Sequence, residues 1–195
     1  AQDAQARVIT KFYGRIAFAW SPDGKKIAWI ITDQDSGVPN YGAVFVSDPD
    51  GSNSQALTTE DALAFYWSPN SQQIAYLTLA SQDGTSCAPE CGRVPGLSAP
   101  LRQNPVLHMR WRAINVKGEN LRTVATFIPT QDFLFVLPYF DQYARSLTFW
   151  SPNSKQFVYT QYEQNDNGSV WVADVSGQTQ PRKIGDGTFA VWSWK

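Results

Sequence analysis

Ile16, Phe18 and Trp20 alternate with small residues, the period-two pattern of a strand with one face set into a core. Four residues, Ser21-Pro22-Asp23-Gly24, then read as a tight turn. Proline presets φ for the first central turn position, and glycine accepts a positive φ. Ile27, Trp29 and Ile31 resume the alternation as a second strand, and 43–48 reads as a third. Asp50-Gly51-Ser52 turns the chain into a short fourth strand around Ala56, Leu57 and Thr58. The same text returns as "FYWSPNSQQIAY" from Phe65 and as "TFWSPNSKQFVY" from Thr148, with Asn-Ser in place of Asp-Gly. Asparagine tolerates the left-handed region, so the turn is expected to survive with Asn70 and Asn153. Helical periodicity is absent at any useful length. The pattern predicts an all-β chain.

The repeated Trp-Ser-Pro anchors stand at Trp20, Trp67 and Trp150, with an imperfect fourth at Trp192, at spacings of 47, 83 and 42 residues. A period of this size with several strands per unit marks a propeller blade. Third and fourth strands recur at 109–116 and 121–127 in the second unit, and at 170–175 and 182–184 in the third. The units therefore run over about 15–59, 60–127 and 144–187. Stretches 7–10 and 188–194 are left as terminal strands, the first like a fourth strand and the second like a first strand. Such leftovers pair in one composite closing blade, or are covered by more of the same protein or by a neighbouring chain, because bare sheet edges invite association. The anchors Trp20, Trp67, Trp150 and Trp192 are expected at equivalent positions, each packing a first strand against its neighbour.

The text "WSPDGKKIAW…VFVSDPDGSNSQALT" resembles the TolB-like, or PD40, propeller repeat, a WD40-like family. The resemblance covers nearly the whole chain apart from two insertions. It implies four-stranded antiparallel blades like those of TolB and of the propellers of prolyl-oligopeptidase-type and tricorn proteases. It says little about activity, because function lives in sites grafted onto folds.

Composition narrows the function classes. The 195 residues are 43% hydrophobic and 17% charged, a globular rather than disordered composition. Sixteen basic residues against 17 acidic leave a net charge of −1, with no basic groove for nucleic acid or anionic lipid. No window approaches the ~20 apolar residues of a membrane-spanning helix. No Gly-x-Ser-x-Gly elbow is present, and the single histidine, His108, lies at the start of a strand, where a structural role is expected. No phosphate-cradling loop or dinucleotide fingerprint appears, and no cofactor, metal or catalytic residue is expected. Asp48-Pro49-Asp50-Gly51 lacks the downstream glutamate of a calcium loop and reads as a hairpin turn. Asn167-Gly168-Ser169 is a formal glycosylation sequon that an Asn-Gly hairpin explains without a glycan.

Two insertions lengthen the middle of the chain. The first, 81–105, is rich in Gly, Pro and Ser and holds Cys87 and Cys91 in "SCAPECGRVPG". A disulfide closing a small loop is favoured over half a zinc site, which lacks four ligands, and over free thiols. It suits an exported protein, and the polar opening 1–5 fits a processed end or a trimmed one; a periplasmic or extracellular location is expected. The second insertion, 128–144, carries Phe133, Phe135, Tyr139, Phe140 and Tyr143. Long loops on a rigid scaffold are where binding surfaces lie, which makes these aromatics candidate partner contacts. The competing reading has them packing inward, with 133–137 as a strand. The leading expectation is a non-catalytic interaction module, an exported accessory protein that binds a protein partner through its rim loops. Two alternatives stand beside it: the substrate-filtering propeller of a larger hydrolase, and a carbohydrate- or small-ligand-binding propeller.

Overall fold

The computed structural model describes residues 8–32, 41–80, 107–163 and 167–193. Cys87, Cys91 and nearly all of the first insertion lie outside the described residues, as does Trp194. Eleven described strands fall into three antiparallel sheets. Blade one holds β1 (Arg15–Trp20), β2 (Ile27–Thr32), β3 (Val44–Ser47) and β4 (Gln55–Ala56). Blade two holds β5 (Ala64–Trp67), β6 (Gln73–Ala80), β7 (His108–Asn115) and β8 (Arg122–Phe127). Blade three holds β9 (Gln156–Tyr162), β10 (Gly168–Asp174) and β11 (Arg182–Asp186). Strands follow chain order across each sheet, as the repeat text requires.

The register confirms that the three anchors are equivalent. Trp20 faces Ile27, Trp67 faces Ile74 and Trp150 faces Phe157 across their hairpins. In every copy the first serine ties the turn: the amide of Lys26 donates to Ser21 Oγ, that of Gln73 to Ser68 Oγ and that of Gln156 to Ser151 Oγ, each at 2.9 Å. The asparagines do not take the left-handed position. Ser71 (φ 59°) and Ser154 (φ 60°) take it, where Gly24 (φ 70°) stands in the first copy. A serine in that conformation is strained, and the blade boundaries show what holds it there.

At each boundary two bonds cross from one blade to the one before. The indole Nε1 of Trp67 donates to the carbonyl of Ala19, and that of Trp150 to the carbonyl of Tyr66, both at 3.1 Å. Ser71 Oγ accepts from the amide of Asp23, and Ser154 Oγ from the amide of Asn70, again at 3.1 Å. The serine hydroxyl that glycine cannot supply is thus the second fastener between blades. Partly buried Glu60, between blades one and two, accepts Tyr76 Oη at 2.6 Å and pairs with Arg112 at 2.7 Å.

Three expectations are corrected. The first strand of blade three is reduced to the Trp150–Phe157 bridge and one bond from the Val158 amide to the Phe149 carbonyl. Residues 8–10 and 188–193 form no strands and no composite blade among the described residues. Instead 187–192 runs along blade three. The Trp192 amide donates to the Thr148 carbonyl at 2.8 Å, and Phe189 stands edge-on to Phe149.

The third correction concerns 133–137, which is helix rather than strand. Thr130 caps α1 (Gln131–Val136) through a side-chain oxygen that accepts from the Phe133 amide, and a 3₁₀ turn, Leu137–Tyr139, follows. The alternation of Phe133, Phe135 and Leu137 mimics a strand. In the helix, Phe133, Leu137 and Phe140 fall at i, i+4 and i+7 on one buried face, and Phe135, Tyr139 and Tyr143 point to solvent. Phe133 stands 5.9 Å, centroid to centroid, from each of Trp111, Phe127 and Phe149, at the centre of the aromatic core.

Buried phenols give the core a pH limit. Burial raises the hydroxyls of Tyr66 and Tyr76, and pushes that of Tyr159 up to about 12. The unfolded chain loses these protons first, near pH 10. Stability is therefore expected to hold up to about pH 10 and to fall as pH rises towards 12. Urea melts between pH 8 and 12 read this directly; a flat midpoint would count against buried, protonated phenols.

Candidate functional site

The feature best placed to bind another molecule is a groove of about 760 Å³ along the first strands of the three units. Its walls follow from the hairpin repeat. The last residues of β1 contribute Phe18 and Trp20, and Pro22 follows them. The end of β5 contributes Phe65, Tyr66 and Trp67, and Pro69 follows. Residues 141–150 form the remaining wall. The second insertion sets that wall in place. Phe140 is buried against Phe65 and Tyr66, with ring centroids 5.2 and 6.0 Å away, so the chain leaving the 3₁₀ turn is held against the groove.

The surface is chemically mixed. Phe18 and Trp20 are about half exposed, and Trp67 is partly so. Rings held by hairpins offer a large apolar contact at little cost in conformational entropy. Among them lie Asp141, Gln142 and Arg145. Arg145 is exposed, and among the described residues it makes no ion pair. Asp141 Oδ1 accepts from the Gln142 amide at 2.9 Å. At the rim, the Ser21 hydroxyl and the Lys25 amide hold the Asp23 carboxyl below the usual carboxylate range, so Asp23 is a fixed negative charge.

The aromatics of the second insertion divide. Phe133 and Phe140 belong to the core and present no surface to a partner. Phe135 is 76% exposed, and Tyr139 and Tyr143 are about half exposed. None of the five lines the groove. The insertion supplies its polar residues there instead, a role that the aromatic text gave no sign of. Trp20 and Trp67, read only as structural anchors, are groove walls as well. His108 opens β7 and pairs with Ala80 across the ladder. No cluster of three or more His, Cys, Asp or Glu able to hold a metal occurs among the described residues.

Comparison with solved structures follows from this geometry. The chain is similar to the β-propeller domain of the Trilobed protease from Pyrococcus furiosus, with a TM-score of 0.51 and 10% identity over 89% of this chain and 43% of that one. The blades are β-propeller blades. An acylaminoacyl peptidase, solved with a Z-Gly-Gly-Phe-chloromethyl ketone, gives a TM-score of 0.50 at 12% identity over 89% of this chain and 25% of that one. A protein assigned as TolB from Agrobacterium tumefaciens gives 0.48 at 17% identity, covering 91% of this chain and 51% of that one. The chain thus spans between a quarter and about half the length of these structures. No protein-family model matches it, and no curated protein does either.

Proposed function

We propose that this propeller segment is a non-catalytic binding module whose groove receives an extended segment of a protein partner. The observation that carries the reading is the groove itself. Half-exposed rings of Phe18 and Trp20 stand on one side, and unpaired Arg145 with Gln142 on the other. Pockets that take peptide side chains combine apolar walls with a few polar groups that fix orientation. The exposed guanidinium favours a segment in which an acidic residue accompanies apolar ones, since an arginine fork binds a carboxylate in two places. An accessory role outside the cytoplasm goes with this reading if Cys87 and Cys91 are bonded.

Calorimetric titration with a panel of extended apolar peptides, with and without a glutamate, tests the proposal. Acidic members are expected to bind, and Arg145→Glu to weaken them roughly ten-fold or more while the melting temperature stays put. Equal binding of acidic and basic members, or none at all, overturns it.

A second reading has one observation in its favour, the likeness of these blades to part of a peptidase. In that case the chain is the propeller portion of a larger hydrolase, and the groove filters peptides for a catalytic domain encoded in the same reading frame. Reading that frame onward decides between the two.

A further inference from the structure

The bonds that fasten one blade to the next run one way, so the two ends of the array are unlike. Each later blade gives an indole N–H to an inner-strand carbonyl of the blade before it. Blade one carries the same donor, Trp20, on its free side. That indole is 47% exposed, while Trp150, which has a blade to bond, is 2% exposed. Phe18 is half exposed beside it in β1, and Phe12 and Tyr13 are exposed in the preceding segment. Blade three carries the matching acceptor. The Phe149 carbonyl, counterpart of those of Ala19 and Tyr66, accepts the Val158 amide within its own blade and has a second lone pair. Ile184, Phe189 and Val191 are exposed apolar residues of that end.

One end therefore lacks an acceptor and the other lacks a donor, and each is apolar. Length points to what joins them. The chain matches less than half of a propeller domain of the same fold, so two chains supply about one full ring of blades. We propose that two copies of this chain associate head to tail, blade one of each docking on blade three of the other. The groove then becomes part of the wall of a closed channel. Two identical head-to-tail contacts close on themselves in a twofold pair instead of growing into a fibre. The inference does not depend on what the groove binds.

The turn serines make the contact adjustable. Ser71 and Ser154 each supply a hydroxyl to the preceding blade, but Gly24 has none to give. A copy docking through blade one thus makes only the indole half of the repeated contact. A Cβ at Gly24 meets nothing within 4 Å, and two serines already adopt the same positive φ in this turn. Gly24→Ser accordingly restores the missing half, towards the Asn153 amide of the other copy.

Analytical ultracentrifugation over a concentration series tests the proposal. The wild-type chain is expected to pass from 21.8 kDa to twice that mass. Trp20→Phe keeps the ring and removes the N–H. It should raise the dissociation constant roughly ten-fold, as one hydrogen bond lost at each of two contacts requires. Gly24→Ser should lower it by a similar factor. A monomer at every concentration up to the solubility limit overturns the proposal. So does a dimer whose dissociation constant is the same in all three chains, because it uses another face. Loss of peptide binding by Arg145→Glu with the dimer intact separates this inference from the groove reading.

Discussion

Replacing Trp111 by alanine is expected to cost about 3–5 kcal/mol, a large share of the roughly 5–15 kcal/mol that holds a typical domain folded. Trp111 is fully buried on β7, and its ring centroid lies 4.7–6.3 Å from those of Tyr66, Phe127, Phe133, Phe149 and Phe157. Those neighbours come from blade two, from α1 and from both sides of the blade three hairpin. The cavity opens where separate parts of the fold meet, and none can collapse into it alone. Its indole N–H has no hydrogen-bond partner, so the whole penalty comes from packing. Denaturant unfolding measures it. A cost below about 1 kcal/mol would mean that the blades do not share one core.

The second large effect is a contrast between two copies of one repeat position. Trp150→Ala should cost about 3–5 kcal/mol, because the side chain is buried, stands edge-on to Phe157 and bonds the Tyr66 carbonyl. Trp20→Ala, measured on the monomer at high dilution, should cost under about 1 kcal/mol, as substitutions at exposed sites do. Trp67, partly exposed but bonded to Ala19, should fall between them. Equal costs at Trp20 and Trp150 would show that a blade already covers Trp20, and would refute the open end of the array.

Much of this architecture was legible in the residues. Period-two alternation and a turn word repeated three times sufficed for strand order and hairpin register, and for the equivalence of the anchors. All of these are local: a hairpin forms from a dozen adjacent residues, and its turn chemistry decides its register. Blades joined by short connections then stack in chain order. The change from Asp-Gly to Asn-Ser was visible too, but its meaning was not. Read one hairpin at a time, Asn70 and Asn153 were the residues suited to the left-handed position. The fold puts Ser71 and Ser154 there, because each hydroxyl meets an amide 48 or 84 residues earlier in the chain.

What needed the tertiary structure was whatever depends on which surfaces meet. The spacing of Phe133, Phe135 and Leu137 fits a strand as well as one turn of helix, and a short apolar run does not decide between them. A buried cap at Thr130 and an aromatic hollow between blades two and three decide it, and they assign Phe133 and Phe140 to the core and Phe135, Tyr139 and Tyr143 to solvent. The groove is likewise invisible in any single segment, since its walls come from three units and an insertion that only packing brings together. The repeated sequence by itself determined the blades, because a strand needs only its neighbours. Which tryptophan is an anchor and which is an open surface was decided by the number of blades beside it, which no one repeat can encode.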